Sequence, residues 1–146
     1  MDAALAHSGM ELIPRKECLG LLAGQRVGRL AFLIGDQPMV LPVNYALKGD
    51  VVVFRTGEGT KLDGARIGKV AFEVDEIGVA TSTGWSVVVQ GVAEDITDAD
   101  DWLAESQRAA AAPTWLPTAA GHYVRIRPGL ISGRRLAAVT SVPRTV

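Results

Sequence analysis

The chain has 146 residues, 48% hydrophobic and 21% charged, with a formal net charge of −1. That length suits one domain with a real core, and the balanced charge removes the electrostatic basis for nonspecific nucleic-acid or membrane-surface binding. A single cysteine, Cys18, excludes an internal disulfide and fits a reducing cytoplasm.

Residues 1–11 read as a flexible N-terminal arm. The arm has no basic leader, and no apolar run of about twenty residues occurs, so a cytoplasmic chain without a membrane span is expected. Pro14 suits the first turn of a helix ending near Gly24, with Cys18, Leu19 and Leu22 on one face and Cys18 read as a buried thiol. Val27 to Ile34 reads as a strand, Gly35-Asp36-Gln37 as a turn, and Met39 to Leu47 as a second strand. Pro42 inside that second strand cannot donate to a ladder, so it belongs at an edge or a bulge. Lys48-Gly49-Asp50 turns the chain into Val51 to Thr56, and two successive hairpins predict an antiparallel meander.

The stretch Phe54 to Asp63 then joins a strand end to a helix start from about Thr60 to Ile67, with Gly57 and Gly59 between them. Glycines that let the backbone approach, outward-pointing helical N–H groups and the cations Arg55 and Lys61 make a recipe for holding a phosphate. The alternative is that Arg55 and Lys61 are solvated charges at a strand–helix junction. Lys69 to Asp75 alternates as a half-buried strand, and Glu76 to Thr83 reads as a loop. Trp85 to Ile96 is the longest strand candidate; with Val87, Val88 and Val89 apolar on both faces, it fits a closed barrel or a partner subunit. Thr97, followed by Asp98, Asp100 and Asp101, starts a helix reaching about Ala112, and Pro113 stops it. Trp102, on the buried stripe of that helix, and Trp115 read as packing residues. His122 to Arg127 and Leu130 to Leu136 read as final strands, followed by a C-terminal arm over residues 137–146. About six or seven strands with three inserted helices predict a mainly β fold, a small barrel with peripheral helices over residues 12–136.

Several motifs are excluded. Gly59-Thr60-Lys61-Leu62 lacks the hydroxyl that follows lysine in a Walker loop, and Leu62 stands where a dinucleotide fingerprint needs its third glycine. Gly84-Trp85-Ser86-Val87-Val88 ends in valine and lies in a strand, so it is not a nucleophile elbow. His7, His122 and Cys18 have no metal-ligand spacing.

Taken in order, Gly28-Arg29-Leu30-Ala31-Phe32, Pro38-Met39-Val40-Leu41-Pro42-Val43-Asn44-Tyr45 and Phe54-Arg55-Thr56 to Lys61-Leu62 resemble the FMN-binding split β-barrel superfamily. Val70 to Asp75, Gly84 to Gly91, Tyr123 to Pro128 and Ile131 to Arg135 continue the likeness over roughly residues 12 to 136. The branch resembled is that of the pyridoxamine 5′-phosphate oxidase-like proteins common in actinobacteria. The resemblance implies an antiparallel split β-barrel and a homodimer with FMN, or a deazaflavin, where the subunits meet. It implies that Thr60 and Lys61 hold the flavin phosphate, with Arg55 and Thr56 near the ribityl chain or phosphate. Val40, Leu41, Pro42 and Val43 would offer backbone groups to the isoalloxazine edge, and Asn44 a polar contact. From the opposite subunit Trp85, Ser86 and Gln90 would approach the ring, and Arg134 would reach flavin or substrate. Trp85 fits a dimer-core anchor equally well, and Arg134-Arg135 fits a pair of surface arginines equally well.

The loop Gly57-Glu58-Gly59-Thr60 lacks the Ser-Arg pair that the oxidases place before the lysine, so vitamin metabolism is not inferred. The expected activity is that of an oxidoreductase moving hydride or electrons between bound flavin and an unknown small-molecule substrate, with no side-chain nucleophile. A non-catalytic module for flavin, deazaflavin or haem is the alternative.

Overall fold

The computed structural model describes residues 10–57, 68–111 and 121–136. Its strands are β1 (Met10–Ile13), β2 (Val27–Ile34), β3 (Gln37–Lys48), β4 (Val51–Gly57), β5 (Lys69–Gly78), β6 (Thr83–Asp95) and β7 (Gly121–Leu136). Two helices lie among the described residues, α1 (Arg15–Ala23) and α2 (Trp102–Ala110). No helix there is long and apolar enough to cross a membrane. The strand order is β1-β7-β4-β3-β2-β5-β6, and a further β6–β7 pairing closes six of the strands into a ring. Every pairing is antiparallel. This is the split barrel expected from the sequence.

The meander β2-β3-β4 follows from two-residue turns whose first residue is glycine at positive φ, Gly35 (+62°) and Gly49 (+65°). That backbone matches the twist of the flanking strands and is strained for other residues. Strand alternation then sends Leu30, Phe32, Tyr45, Phe54, Phe72, Val74, Val87 and Val89 into one core. Phe72 is fully buried and meets Tyr45 edge to face, ring centres 4.9 Å apart. Its ring lies on Gly28, where an added Cβ would come within 2.2 Å of it. The Tyr45 hydroxyl donates to the Leu22 carbonyl at 2.6 Å, tying α1 to the barrel. Burial pushes that phenol up to about 12. Cys18 is buried as expected.

The structure differs from the sequence reading in five places. Glu76 to Gly78 continue β5 and Thr83 opens β6, so the loop read from Glu76 to Thr83 shrinks to residues 79–82, because the cross-strand pairs Glu76–Trp85, Ile77–Gly84 and Gly78–Thr83 extend the hairpin. Met10 and Glu11 belong to β1, which pairs with the end of β7. The two final strands are one, because Gly129 is an extra residue at a bulge between the pairs Gln90–Leu130 and Gly91–Pro128. The helix after β6 is capped by Asp101, whose carboxylate accepts from Ala104 N at 2.9 Å. Thr97 instead caps the strand ends: its hydroxyl bonds Asp95 and accepts from Tyr123 N. Trp102 is not a packing residue but 79% exposed, since the buried positions of that helix are Ala104 and Gln107. The helix expected over Thr60–Ile67, Trp115 and both terminal arms apart from Met10 and Glu11 lie outside the described residues.

Candidate functional site

The outer end of β4 carries Arg55 and Thr56, which point to opposite faces because consecutive strand residues alternate. The Arg55 guanidinium lies 5.0 Å from the centre of the Tyr123 ring, its cross-strand neighbour on β7. Among the described residues Arg55 Nε is buried with no hydrogen-bond partner, and so is Thr56 Oγ1. Two orphaned donors at one strand end are costly unless a ligand completes them. Thr56 is paired across the ladder with His122, whose Nδ1 lies 2.8 Å from Asp95 Oδ2. Burial works against ionisation of Asp95, but hydrogen bonds from Thr97 and the neighbouring His122 outweigh it and hold its pKa low. Thr60 and Lys61 follow in sequence and lie outside the described residues.

Beside this end, β3 offers a backbone edge. Its residues Gln37 to Asn44 pair with β2 on one side, whereas β4 joins the other side only from Tyr45 onward. Among the described residues the stretch from Val40 to Val43 therefore presents amide groups on an edge without a strand partner. This also places Pro42 at an edge, as its missing N–H requires. The side chains of Val40 and Pro42 are exposed, while Leu41 and Val43 pack inward on the core. Asn44 is half-buried.

The remaining predicted residues sit elsewhere on the ring. Ser86, Gln90 and Arg134 share the outer face, with Ser86 and Arg134 directly paired. Trp85 is half-buried and packs on the barrel core of its own chain, opposite to Ser86. Three strand intervals, about 14 Å, separate β6 from β3. One chain thus brings Arg55, Thr56 and the β3 edge together and keeps Ser86 and Arg134 apart from them, while Gln90 shares the outer-face row of Val40.

Sequence reasoning missed Tyr123 and the Asp95–His122 pair, which become neighbours of Arg55 and Thr56 only through the β4–β7 register. It also missed a groove of about 610 Å³ on the outer face, whose lining includes Ala31, Val40, Ala71, Gln90 and Leu130. Next to that groove Arg29 bridges two carboxylates of β5, Glu73 at 3.5 Å and Asp75 at 3.4 Å. Burial, then the hydrogen bond and charge of Asp75, push Glu73 up from 4.5 to about 7 despite Arg29. A carboxyl that holds its proton more tightly when folded loses stability as pH rises from its unfolded to its folded pKa. Unfolding free energy is therefore expected to fall by roughly 1 kcal/mol between pH 4.5 and 7, after allowance for solvent screening. In Glu73→Gln that loss should vanish from denaturant titrations across the same window; an unchanged slope would show that another group titrates.

The family model described as pyridoxamine 5′-phosphate oxidase matches residues 14–135. An uncharacterised protein of Mycobacterium tuberculosis is 31% identical over 137 residues, covering 90% of this chain and 88% of that protein. The structure of an FAD-binding protein from Mycobacterium smegmatis superposes with a TM-score of 0.71 at 35% identity, covering 86% of this chain and 98% of that one. An FAD-binding protein from Mesorhizobium loti gives 0.73 at 30% identity, over 86% and 96% of the two chains. A family match across almost the whole barrel, with the strand order that the site requires, shows that this chain belongs to the pyridoxamine 5′-phosphate oxidase family.

Proposed function

We propose that the chain binds a flavin along the β3 edge and the end of β4, and acts as a flavin-dependent oxidoreductase. The observation that carries this is Arg55 Nε, buried and without a hydrogen-bond partner among the described residues, beside a strand edge without a strand partner there. It fits the anionic end of a flavin nucleotide, with Thr56, Lys61 and Thr60 as the sequence-derived continuation of that subsite. The backbone amides from Val40 to Val43 fit the polar rim of a planar ring, and the exposed Val40 and Pro42 side chains would cover part of it and exclude water. When bound, the flavin supplies the hydride- or electron-transfer chemistry. The FAD-binding relatives at 30% and 35% identity favour a flavin ligand without deciding between FMN and FAD.

The reading includes a homodimer. A second copy is the means by which Ser86, Gln90 and Arg134 would reach a ring seated on the other chain's β3 edge. Incubation with FMN, FAD or a deazaflavin in separate arms, followed by desalting and an absorbance spectrum, tests the cofactor. Retention of at least one is expected, together with reductant-dependent turnover of an acceptor dye. Retention of none would overturn the flavin reading, and a haem spectrum alone would replace it with the haem-binding module. Stoichiometric flavin without turnover across donors would leave the binding module in place of the enzyme.

A further inference from the structure

Arg55 on β4 and Arg125 on β7 share one face of neighbouring strands, yet the chain surrounds them differently. Arg125 donates to Gln107 Oε1 at 2.9 Å and to Glu94 Oε2 at 3.3 Å, and Arg127 engages the same carboxylate. Its charge is neutralised inside the fold. Among the described residues the Arg55 guanidinium instead meets the ring of Tyr123, 5.0 Å away, and its Nε stays buried without a partner. A carboxylate that oriented Arg55 would also cancel its charge and weaken its hold on an anion. The face of an aromatic ring orients a guanidinium while the charge persists.

The ring is itself set from behind. Tyr123 N donates to Thr97 Oγ1 at 2.9 Å, and the Tyr123 carbonyl accepts from Ile96 N at 2.8 Å. Thr97 is fixed in turn by Asp95 Oδ1, which accepts from its backbone N at 2.9 Å and from its hydroxyl at 2.5 Å. The other Asp95 oxygen lies 2.8 Å from His122 Nδ1, so one carboxylate ties the end of β6 to the start of β7.

We infer that Tyr123 is a positioning residue for the flavin's phosphate end: its ring holds the Arg55 guanidinium in place at full charge before the cofactor binds, and the Asp95–Thr97 cap holds the ring. The inference rests on the flavin reading and adds a residue that acts on the cofactor through another. A loose arginine must lose rotamer freedom when it grips an anion, which weakens binding. Stacked on Tyr123, Arg55 loses that freedom during folding instead. The benefit is selective, because a flavin that bears phosphate gains from it and riboflavin, which bears none, does not.

Fluorescence titrations of riboflavin, and of FMN or FAD, whichever the wild type retains, test this role. Tyr123→Leu is expected to weaken binding of the phosphate-bearing flavin by roughly five- to tenfold and to leave riboflavin within about twofold of the wild type. Tyr123→Phe keeps the ring and should bind like the wild type. On an Arg55→Ala background Tyr123→Leu should change nothing further, since the two act as one unit. Thr97→Val, which withdraws the acceptor from Tyr123 N, should give the same selective loss at roughly threefold, and it carries the test if a melt shows the leucine variant unfolded. Where riboflavin binds too weakly to titrate, the Arg55→Ala background decides. Equal losses for both flavins, or a loss that persists without Arg55, would overturn the positioning role and leave the flavin site standing. A wild type that binds no flavin would overturn the flavin reading and this role with it.

Discussion

Replacement of Phe72 by alanine is expected to lower the unfolding free energy by about 4 kcal/mol, the upper part of the range for deleting a buried aromatic ring. Phe72 has no accessible surface, stands edge-on to Tyr45 and covers Gly28. Its removal opens a void between β2, β3 and β5 that a closed ring of strands cannot collapse to fill. Denaturant titration reads the effect as a lower midpoint with an unchanged slope. A loss below about 1.5 kcal/mol would mean that the barrel repacks around the vacancy. Because the β3 edge is held from behind by this packing, flavin retention in the variant should fail at temperatures where the wild type still holds it.

The second large effect concerns Arg55. Arg55→Ala is expected to weaken flavin binding by about 2 kcal/mol, roughly thirtyfold, the loss of one charge-assisted hydrogen bond. The same substitution removes a buried Nε that has no partner among the described residues, so thermal stability without flavin should hold or rise. Affinity lost while stability is kept identifies a ligand-directed group; a structural arginine would show the reverse. Flavin titration followed by quenching of its fluorescence, paired with a melt of the free chain, reads both quantities. Unchanged affinity in Arg55→Ala would remove the end of β4 from the site.

Most of the barrel was legible in the chain because its strands carry their own signal. Val27 to Ile34 is rich enough in β-branched and apolar residues that its predicted bounds coincide with β2, and the glycine turns announced the meander. β1 was not legible, since Met10 to Ile13 has no pattern of its own and becomes a strand by adding to the edge of β7. Pro128 and Gly129 looked like a break because local chemistry does not tell a bulge from a turn; the β6 ladder on the other side decides it. Trp102 misled for a related reason: its helix buries small and polar residues, so the largest apolar side chain marks the exposed start.

In the site, Arg55 and Thr56 could be found because a strand ending in polar residues before glycines is a local signal. Tyr123 and His122 could not be, since only the β4–β7 register brings them alongside. The groove was equally hidden, being the outward half of five strands that are far apart in sequence.

The long last strand has a consequence for how the molecule is made. On one edge β7 pairs with β4 near its start and with β1 at its end, and on the other it follows β6 throughout. Met10 therefore waits for Leu136 before it is paired. During synthesis, β2 to β6 can assemble only as an open sheet until Gly121–Leu136 leaves the ribosome and shuts the ring. So high a contact order sets folding on the millisecond-to-second scale rather than in microseconds. Loss of the start of β7, where Gly121 to Ile126 pair with β4, would leave a permanent seam.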